Sequence, residues 1–404
     1  MPTTIETLSP EAGRTDTEGL ARYDANALAR CAVDAAQPWW RRTACAQALT
    51  GRVPEQRVAE LIACVQDADD AGSVRVALLD LLADRSELLP WLRHEDRLKE
   101  SAYGMTEAVL QARGRLGDRT AAAALATLAF SPWRHRRAIG EAGLDELTAR
   151  YGTEAVLAAL GTDRPEDRAV AVRLRHHADE DVTTALADPD RGVAYLAQTL
   201  QSDPERLRRY LDEAPTEEAK VWAAYALHRL TGDTAETHRL YEALGRPRVE
   251  VPGLDEEVRA AIVHEYGHEC AERSDPRWRI EALCTEPPAG RDPAEWLSRA
   301  TTALTAAGLA PQPPVSCGDF HRQGDGTYDV IGYGESGGEV HISTLGRFAA
   351  EENDDPAVRG ALESAGFRWI DQAVGSIEVT GLGVYYFGRR DPLDVHTLLF
   401  YWQD

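Results

Sequence analysis

One layout of paired helices recurs along this chain, and it limits the fold more than any other feature of the sequence. From about residue 22 to residue 285 the chain is rich in alanine, leucine and arginine and has short Gly/Asp/Pro breaks, a pattern typical of successive helices. Two distant segments share one layout, in which a leucine-containing helix ends at a Gly-Asp pair and a second apolar-periodic helix follows. They are LQARGRLGDRTAAAALATLA (110–129) and AYALHRLTGDTAETHRLYEAL (224–244).

A second alignment supports internal repetition. Residues 217–230 lie over residues 256–269 with an offset of 39, which places Lys220 on Arg259. The segments at 41–51 and 73–84 fit the same outline. A helix pair of this length cannot bury its apolar face alone, so it stacks on its neighbours.

This pattern resembles the HEAT-repeat family, in particular the short bacterial repeats of the phycobilisome-lyase type. The resemblance covers about residues 22–285, although residues 160–215 repeat poorly. It implies a right-handed α-solenoid that serves mostly as a binding surface, and it brings no catalytic residue with it.

The period of the pattern changes near the C-terminus. After a polar segment (1–21) and the helical region (22–285), we expect a proline-rich connection with one helix (286–314) and then an α+β domain (315–404). The helices of this part are predicted at Asp292–Leu309 and at 355–370, with Asp355 as the N-cap. The strands are predicted at Val315–His321, Tyr328–Tyr333, Glu339–Leu345, Ser376–Thr380, Val384–Phe387 and Val395–Trp402. The fold class is therefore mainly α, a HEAT-like solenoid followed by a small α+β domain.

The string HEYGH carries the sharpest indication of chemistry. In a zinc hydrolase His264 and His268 would be ligands one helical turn apart, and Glu265 would be the general base. Glu269 and the lack of a clear third ligand argue against this interpretation. A helical wheel also predicts that both histidines face away from the apolar side.

Two further alternatives involve residues close to catalytic patterns. Cys270 and Cys284 could complete a structural zinc cluster with the two histidines of HEYGH. Ser336 lies in G-x-S-x-G, but strands on both sides predict a glycine hairpin loop rather than a nucleophile elbow. We therefore expect no cofactor, with zinc as the alternative.

Tryptophan–arginine pairs mark several breaks between helices, at 38–42, 90–97, 131–137 and 275–279. Tryptophan can fill the gap between helix layers, but tryptophan with arginine is also the composition of interface hot spots. We predict a binding surface at Trp39, Trp40, Arg41, Arg42, Trp133, Arg134, Arg136 and Arg137.

Charge limits the choice of partner. The formal net charge is −23, which repels a phosphate backbone and suits a basic protein. No signal-like or membrane-spanning run is present, and the cysteines are scattered, so we expect a cytoplasmic chain with reduced thiols. The sequence predicts a scaffold or adaptor that binds another protein through an acidic repeat surface. Its charge is also compatible with one subclass of such binders, an immunity-type inhibitor of a basic partner. The alternatives are the zinc hydrolase and a HEAT-like nucleic-acid-processing enzyme.

Overall fold

The computed structural model describes residues 3–268, 272–287, 292–334 and 337–404. As predicted, the chain is mainly helical, with a small sheet region near the C-terminus. It divides into two compact units, residues 1–180 and residues 181–404. Across the described ranges, no helix combines the length and apolar character needed to cross a membrane.

The first unit is entirely helical apart from its connections. Short 3₁₀ turns precede or link several of its helices. The helices are α1 (Ile5–Leu8), α2 (Thr17–Ala21), α3 (Ala25–Val33), α4 (Trp39–Gln47), α5 (Val58–Gln66), α6 (Gly72–Leu81), α7 (Leu89–Leu92), α8 (Met105–Arg115), α9 (Ala122–Ala129), α10 (Arg134–Tyr151), α11 (Thr153–Leu157) and α12 (Pro165–His177).

Helices α4, α6, α8 and α10 form a row in which each packs against the next. Contacts between α8 and α10 show that these two helices run parallel. Near their starts Glu107 pairs with Arg136, and beyond their ends the Tyr151 hydroxyl donates to the carbonyl of Gly117 over 2.8 Å. The starts of α4, α6 and α8 are linked in the same way, because Arg42 pairs with Asp70, just before α6, and Arg75 pairs with Glu100, just before α8. The row therefore has all its helix N-termini along one edge.

Small residues let the row pack closely. A Cβ on Gly114 would lie 2.9 Å from the Cα of Gly143 on the neighbouring helix. Helix α9 packs against α10, and a Cβ on Gly140 would lie 2.4 Å from the backbone nitrogen of Ala129. Glycine is required at these positions because the backbones approach more closely than any side chain allows.

The second unit begins with helices and ends with the sheet region. Its elements are α13 (Arg191–Thr199), α14 (Pro204–Glu213), α15 (Glu217–Thr231), α16 (Thr234–Ala243), α17 (Glu256–Tyr266), α18 (Pro276–Cys284), α19 (Pro293–Ala306), β1 (Val315–Ser316), α20 (Cys317–His321), β2 (Asp325–Gly326), β3 (Tyr328–Tyr333), β4 (Gly338–Ser343), β5 (Phe348–Ala350), α21 (Pro356–Ser364), β6 (Arg368–Trp369), α22 (Gln372–Gly375), β7 (Glu378–Val379), β8 (Leu393–Asp394), α23 (Val395–Leu399) and β9 (Trp402–Gln403).

The main sheet has the strand order β1-β3-β4-β5-β6. All its neighbours are antiparallel except β5 and β6, which pair in parallel. The β3–β4 hairpin has the register Tyr328↔Ser343 to Tyr333↔Gly338. Helices α19 and α21 cover one side of the sheet and share a core with it through Ala300, Leu304 and Val358.

Helices α17 and α18 share a hydrophobic core with the other part of the sheet region. The Tyr266 hydroxyl donates to the carbonyl of Leu398 over 2.7 Å, and the Trp278 indole donates to the carbonyl of Thr380 over 2.9 Å. The predicted connection 286–314 thus joins two parts of one compact unit.

A buried arginine recurs in the first turn of three helices. Arg42, Arg75 and Arg259 each donate to the carbonyl ten residues upstream, over 2.7–2.9 Å, and each pairs with a carboxylate further along the chain. Each guanidinium thus donates hydrogen bonds to two acceptors, one backbone carbonyl and one carboxylate. These arginines lie in three of the segments that the sequence aligned, so the repetition extends to the bonding pattern.

The strand predicted at Val395–Trp402 is wrong, because Val395–Leu399 is the short helix α23. Asp394 accepts a hydrogen bond from the Thr397 backbone and caps it. Its buried side chains are Val395, Leu398 and Leu399, which are spaced as on a helix. In a run of only five residues, this spacing looks the same as a strand that is apolar on both faces. Most of the strand predicted at Val315–His321 is also wrong, because Cys317–His321 is helix α20 with Ser316 as its N-cap. The strand predicted at Val384–Phe387 is wrong too, since no strand lies there in the described structure.

Candidate interaction surface

The HEYGH string lies at the end of α17, and its first histidine is not where the helical wheel predicted. His264 is 8% exposed, and its Nε2 lies 3.2 Å from the Thr285 hydroxyl. The prediction that it faces outward is wrong because α17 packs against both α18 and α23, which cover more than one face. His268 is exposed as predicted, and the two imidazole centroids are 6.0 Å apart.

Within the described parts of the chain, no group of three or more His, Cys, Asp or Glu side chains is arranged to hold a metal ion. Glu265 is exposed. Burial raises the pKa of the Cys284 thiol to about 11. Glu269, Cys270 and Ser336 lie outside the described residues.

The two tryptophan–arginine segments that sequence analysis singled out lie on one edge of the helix row. Trp39 is the first residue of α4 and Trp133 is the N-cap of α10. Tyr103 lies just before α8. These side chains are 49%, 62% and 89% exposed, respectively. We call the side of the row where its helices begin the N-terminal edge. With neighbouring helix axes ~8–10 Å apart, it extends for roughly 30 Å.

Several of the predicted binding arginines instead hold the fold. Arg42 is buried and is tied to Asp70, so it is not available to a partner. Arg136 pairs with Glu107. Arg137 donates to the carbonyls of Ser131 and Pro132, and Arg41 donates to Ser9 and Gln37.

Two predicted residues retain polar groups without a partner among the described residues. Arg134 is exposed and makes no ion pair or hydrogen bond there. Trp40 is half-buried, and its indole N–H has no hydrogen-bond acceptor in the described structure.

The row helices begin without a side-chain cap, as do α5, α7, α9, α11 and α12 of the same unit. In the described residues 3–180, none of α4, α6, α8 and α10 has a side-chain cap, and the N-cap residues are Pro38, Ala71, Gly104 and Trp133. By contrast, α13 to α18 each have a capping side chain, from Asp190, Asp203, Thr216, Asp233, Asp255 and Asp275. The N-terminal edge thus presents several uncapped N–H groups and the positive ends of parallel helix dipoles.

Sequence reasoning missed Tyr103 and this capping pattern. The residues before these four helices are proline, alanine, glycine and tryptophan rather than the preferred Asp, Ser, Thr or Asn. This pattern becomes meaningful only when the helices are known to be parallel neighbours.

An acidic cleft of about 480 Å³ lies in the sheet region, lined in part by Glu351, Asp354, Asp371 and Asp394. These four carboxylates each accept hydrogen bonds within the fold. Glu351 accepts hydrogen bonds from the Tyr333 hydroxyl and the Asp355 backbone, Asp354 accepts from the Trp369 indole, and Asp371 and Asp394 cap short helices. These four carboxylates therefore have structural roles.

The chain was compared with protein-family models, with curated proteins and with solved structures, and none of the three comparisons finds a significant match. The candidate surface therefore rests on the geometry of this chain alone.

Proposed function

We propose that this chain is a protein-binding adaptor of the HEAT-like solenoid type and that it contacts its partner along the N-terminal edge. The observation that carries the proposal is the position of Trp39, Tyr103 and Trp133. They come from segments far apart in sequence, and they lie along one edge of a parallel helix row with their rings exposed.

Exposed tryptophan and tyrosine side chains are the residues that most often anchor interfaces. A partner that covers them removes large apolar areas from water, each contributing on the order of 25 cal/mol per Å². Arg134 and the uncapped helix N-termini offer donors to carbonyl and carboxylate oxygens of the partner.

Net charge acts at longer range than these contacts. A chain with net charge −23 attracts partners whose overall charge is positive and raises their association rate at low ionic strength. In this proposal the field of the whole chain favours the approach of a basic protein, and the N-terminal edge provides the anchoring contacts.

The test is a native pull-down followed by calorimetry with the purified partner. The variant carries Trp39→Ala, Tyr103→Ala and Trp133→Ala, and a control carries Phe320→Ala, Tyr385→Ala and Phe387→Ala, exposed aromatics of the second unit. Removing edge anchors should weaken binding by at least about 30-fold, as hot-spot truncations do, while the control should change affinity less than about threefold.

Unchanged melting of the edge variant would show that the fold is intact. Recovery of no stoichiometric protein partner, or equal affinity for the edge variant and the wild-type chain, would refute the proposal.

A further inference from the structure

Four aromatic rings of the second unit follow one another across its surface. They belong to Phe320, His321, Trp402 and Phe387, in this order, and we call them the aromatic patch. Successive ring centroids are 5.0, 4.1 and 5.3 Å apart. Phe320 and Phe387 are 38% and 47% exposed, and Trp402 is half-buried. Exposed apolar side chains are usually scattered singly, so a continuous set of rings at the surface indicates a contact site.

The backbone holds Phe387 at the tip of a tight hairpin. Tyr386 and Arg389 exchange two backbone hydrogen bonds of 2.8 Å, which leaves Phe387 and Gly388 as the two turn residues. Their φ angles are +41° and +86°, and positive φ at both positions is what a type I′ turn requires. Asparagine and glycine favour this turn, whereas a bulky side chain at positive φ is strained. The chain therefore keeps an exposed ring at the tip at a cost in stability, and such strain is typical of functional sites.

Hydrogen bonds fix the segments on which the rings lie. The Trp402 indole donates to the carbonyl of Gln323 over 3.1 Å, which joins the last strand to the loop after His321. The Tyr401 hydroxyl donates to the carbonyl of Tyr385 over 2.6 Å, which joins the same strand to the hairpin. A surface fixed in this way loses little conformational freedom when a ligand binds, and this favours affinity.

Three arginines flank the aromatic patch. Arg322 follows His321, and Arg389 and Arg390 follow the tip of the hairpin. All three are exposed, and none of them forms an ion pair with a carboxylate of the described residues. The guanidinium of Arg390 lies 5.4 Å from the centre of the Tyr385 ring, so a cation and an exposed ring are presented together.

The carboxylates nearest to these arginines in sequence have other contacts. Each accepts a hydrogen bond over 2.7–2.9 Å from a group of the same unit; they are Asp319, Asp325 and Asp391. The N–H groups of the arginines are thus available to oxygens of another molecule. A guanidinium binds a carboxylate through two parallel hydrogen bonds, which are among the stronger polar contacts in proteins.

We propose that the aromatic patch and its three arginines bind an acidic segment of another protein, an extended peptide that carries several carboxylates and a large apolar side chain. The rings contact the apolar side chain, and the guanidiniums pair with the carboxylates, as arginine clusters do when they recognise acidic motifs. The chain would then bind two proteins, a basic one at the N-terminal edge of the first unit and an acidic one at the second unit.

Charge favours a short acidic segment over nucleic acid as the ligand. A nucleic-acid strand carries a phosphate at every nucleotide, and a chain of net charge −23 repels it along its whole length. A peptide places its few carboxylates directly against the arginines. At physiological ionic strength, charges more than ~8 Å away are largely screened, so these contacts outweigh the repulsion from distant carboxylates.

The experiment selects phage-displayed random dodecapeptides on the immobilised full chain at physiological ionic strength. The enriched peptides should combine net negative charge with an aromatic or large aliphatic residue. Fluorescence polarisation then measures the affinity of the most enriched peptide, synthesised with a fluorophore. Joint replacement of Arg322, Arg389 and Arg390 by glutamine should weaken its binding by at least about 30-fold, because the charge-assisted hydrogen bonds are lost.

Two further variants separate binding at the patch from other effects. Phe387→Asn places a residue that favours the turn at the hairpin tip, so it should melt at least as high as the wild-type chain, yet bind the peptide about tenfold more weakly because the ring is lost. The variant of the N-terminal edge, with Trp39, Tyr103 and Trp133 replaced by alanine, should change the affinity for the peptide less than about twofold, because the sites are distant.

Several results would overturn the proposal. One is that no peptide is enriched, or that the enriched peptides are basic or uncharged. Another is that the arginine variant and Phe387→Asn both bind the selected peptide as tightly as the wild-type chain. Binding of a labelled oligothymidylate that is lost in the arginine variant would assign the patch to nucleic acid instead. None of these results affects the proposal for the N-terminal edge, which is tested with a different partner and different variants.

Discussion

Two neighbouring arginines in the first turn of α4 are buried to different depths. Arg41 and Arg42 are adjacent in sequence, yet Arg42 is buried against Asp70 and the carbonyl of Ala32 while Arg41 is only partly buried. Removing one partner of a buried pair leaves the other charge without compensation, which costs about 3–5 kcal/mol. No local composition rule separates these neighbours, because a step of ~100° around the helix axis moves a side chain from solvent to the core.

The single residue His341 should make the stability of the chain depend on pH. Its ring lies 4.8 Å from that of Tyr328 and 6.1 Å from that of Phe400. Burial, together with the nearby His396 and His321, lowers the pKa of His341 to about 4. In the unfolded chain the pKa is ~6.5, so between these values the unfolded state binds the proton and the folded state does not. Stability is therefore complete above about pH 6.5 and is lost as pH falls toward 4.

Urea unfolding at pH 7.5 and pH 5.0 checks this prediction. His341 alone should lower the free energy of unfolding by about 2 kcal/mol between these pH values. His341→Gln should show a pH dependence smaller by that amount, whereas His238→Gln, at an exposed histidine, should leave it unchanged. An identical pH dependence in His341→Gln and in the wild-type chain would contradict the prediction.

At the scale of elements, regular periodicity was informative and short segments were not. Strand β3 and helix α19 occur where the sequence predicted them. Helix α21 begins after Asp355 as predicted but ends at Ser364, so the last part of the helix predicted at 355–370, which includes strand β6, is wrong. Asp292 and Asp355 cap the two helices. Long apolar periods and strong capping residues carry this information locally.

The remaining differences are caused by packing between distant segments. Helix α17 is covered by α18 and by α23, so His264 is buried although it lies off the main apolar arc of its own helix. The shared edge of Trp39 and Trp133 also depends on the parallel order of α4, α6, α8 and α10. The sequence could therefore identify the tryptophans as candidate binding residues but could not predict that they lie along the same edge.

The close packing of α10 against α9 predicts that a larger residue at Gly140 destabilises the chain. In α10 a Cβ at Gly140 would lie 2.4 Å from the Ala129 nitrogen and 2.6 Å from the Leu125 oxygen, both backbone atoms of α9. Gly140→Ala should therefore destabilise the chain by about 1–3 kcal/mol, as overpacking does, although alanine is intrinsically the better helix former.

Gly360 is the matched control, because it also lies inside a helix but a Cβ there meets nothing within 4 Å. Gly360→Ala should stabilise the chain by about 0.5–1 kcal/mol through helix propensity alone. Chemical denaturation of both variants distinguishes packing from propensity. A stabilising Gly140→Ala would show that α9 and α10 move apart at little cost.

For the molecule as a whole, the excess negative charge and the local ion pairs have opposite effects on the stability of the folded chain. Many arginines are paired with carboxylates of the same chain, as with Arg208 and Glu236, yet 67 acidic residues face 44 basic ones. The surplus carboxylates repel one another across the surface, and this repulsion opposes the compact state. Against this acidic surplus, the N-terminal edge carries the positive charge of Arg134, which has no ion-pair partner among the described residues.

The dependence of the melting temperature on salt concentration shows whether carboxylate repulsion or ion pairing is the larger effect. The Debye length is ~20 Å at 20 mM monovalent salt and less than 10 Å at 300 mM, so added salt screens repulsion between separated carboxylates more than it weakens contact ion pairs. Raising NaCl from 20 to 300 mM should therefore raise the melting temperature by about 2–4 °C, equivalent to about 1 kcal/mol.

A variant with fewer charges isolates the cause of the salt effect. Glu146, Glu213 and Glu352 are exposed, and their simultaneous replacement by glutamine removes three negative charges without a change of shape. This variant should melt at a higher temperature than the wild-type chain at 20 mM NaCl and should gain less from added salt. If the melting temperature of the wild-type chain instead falls as salt is added, its ion pairs stabilise it more than the surplus charge destabilises it, and the repulsion argument is wrong.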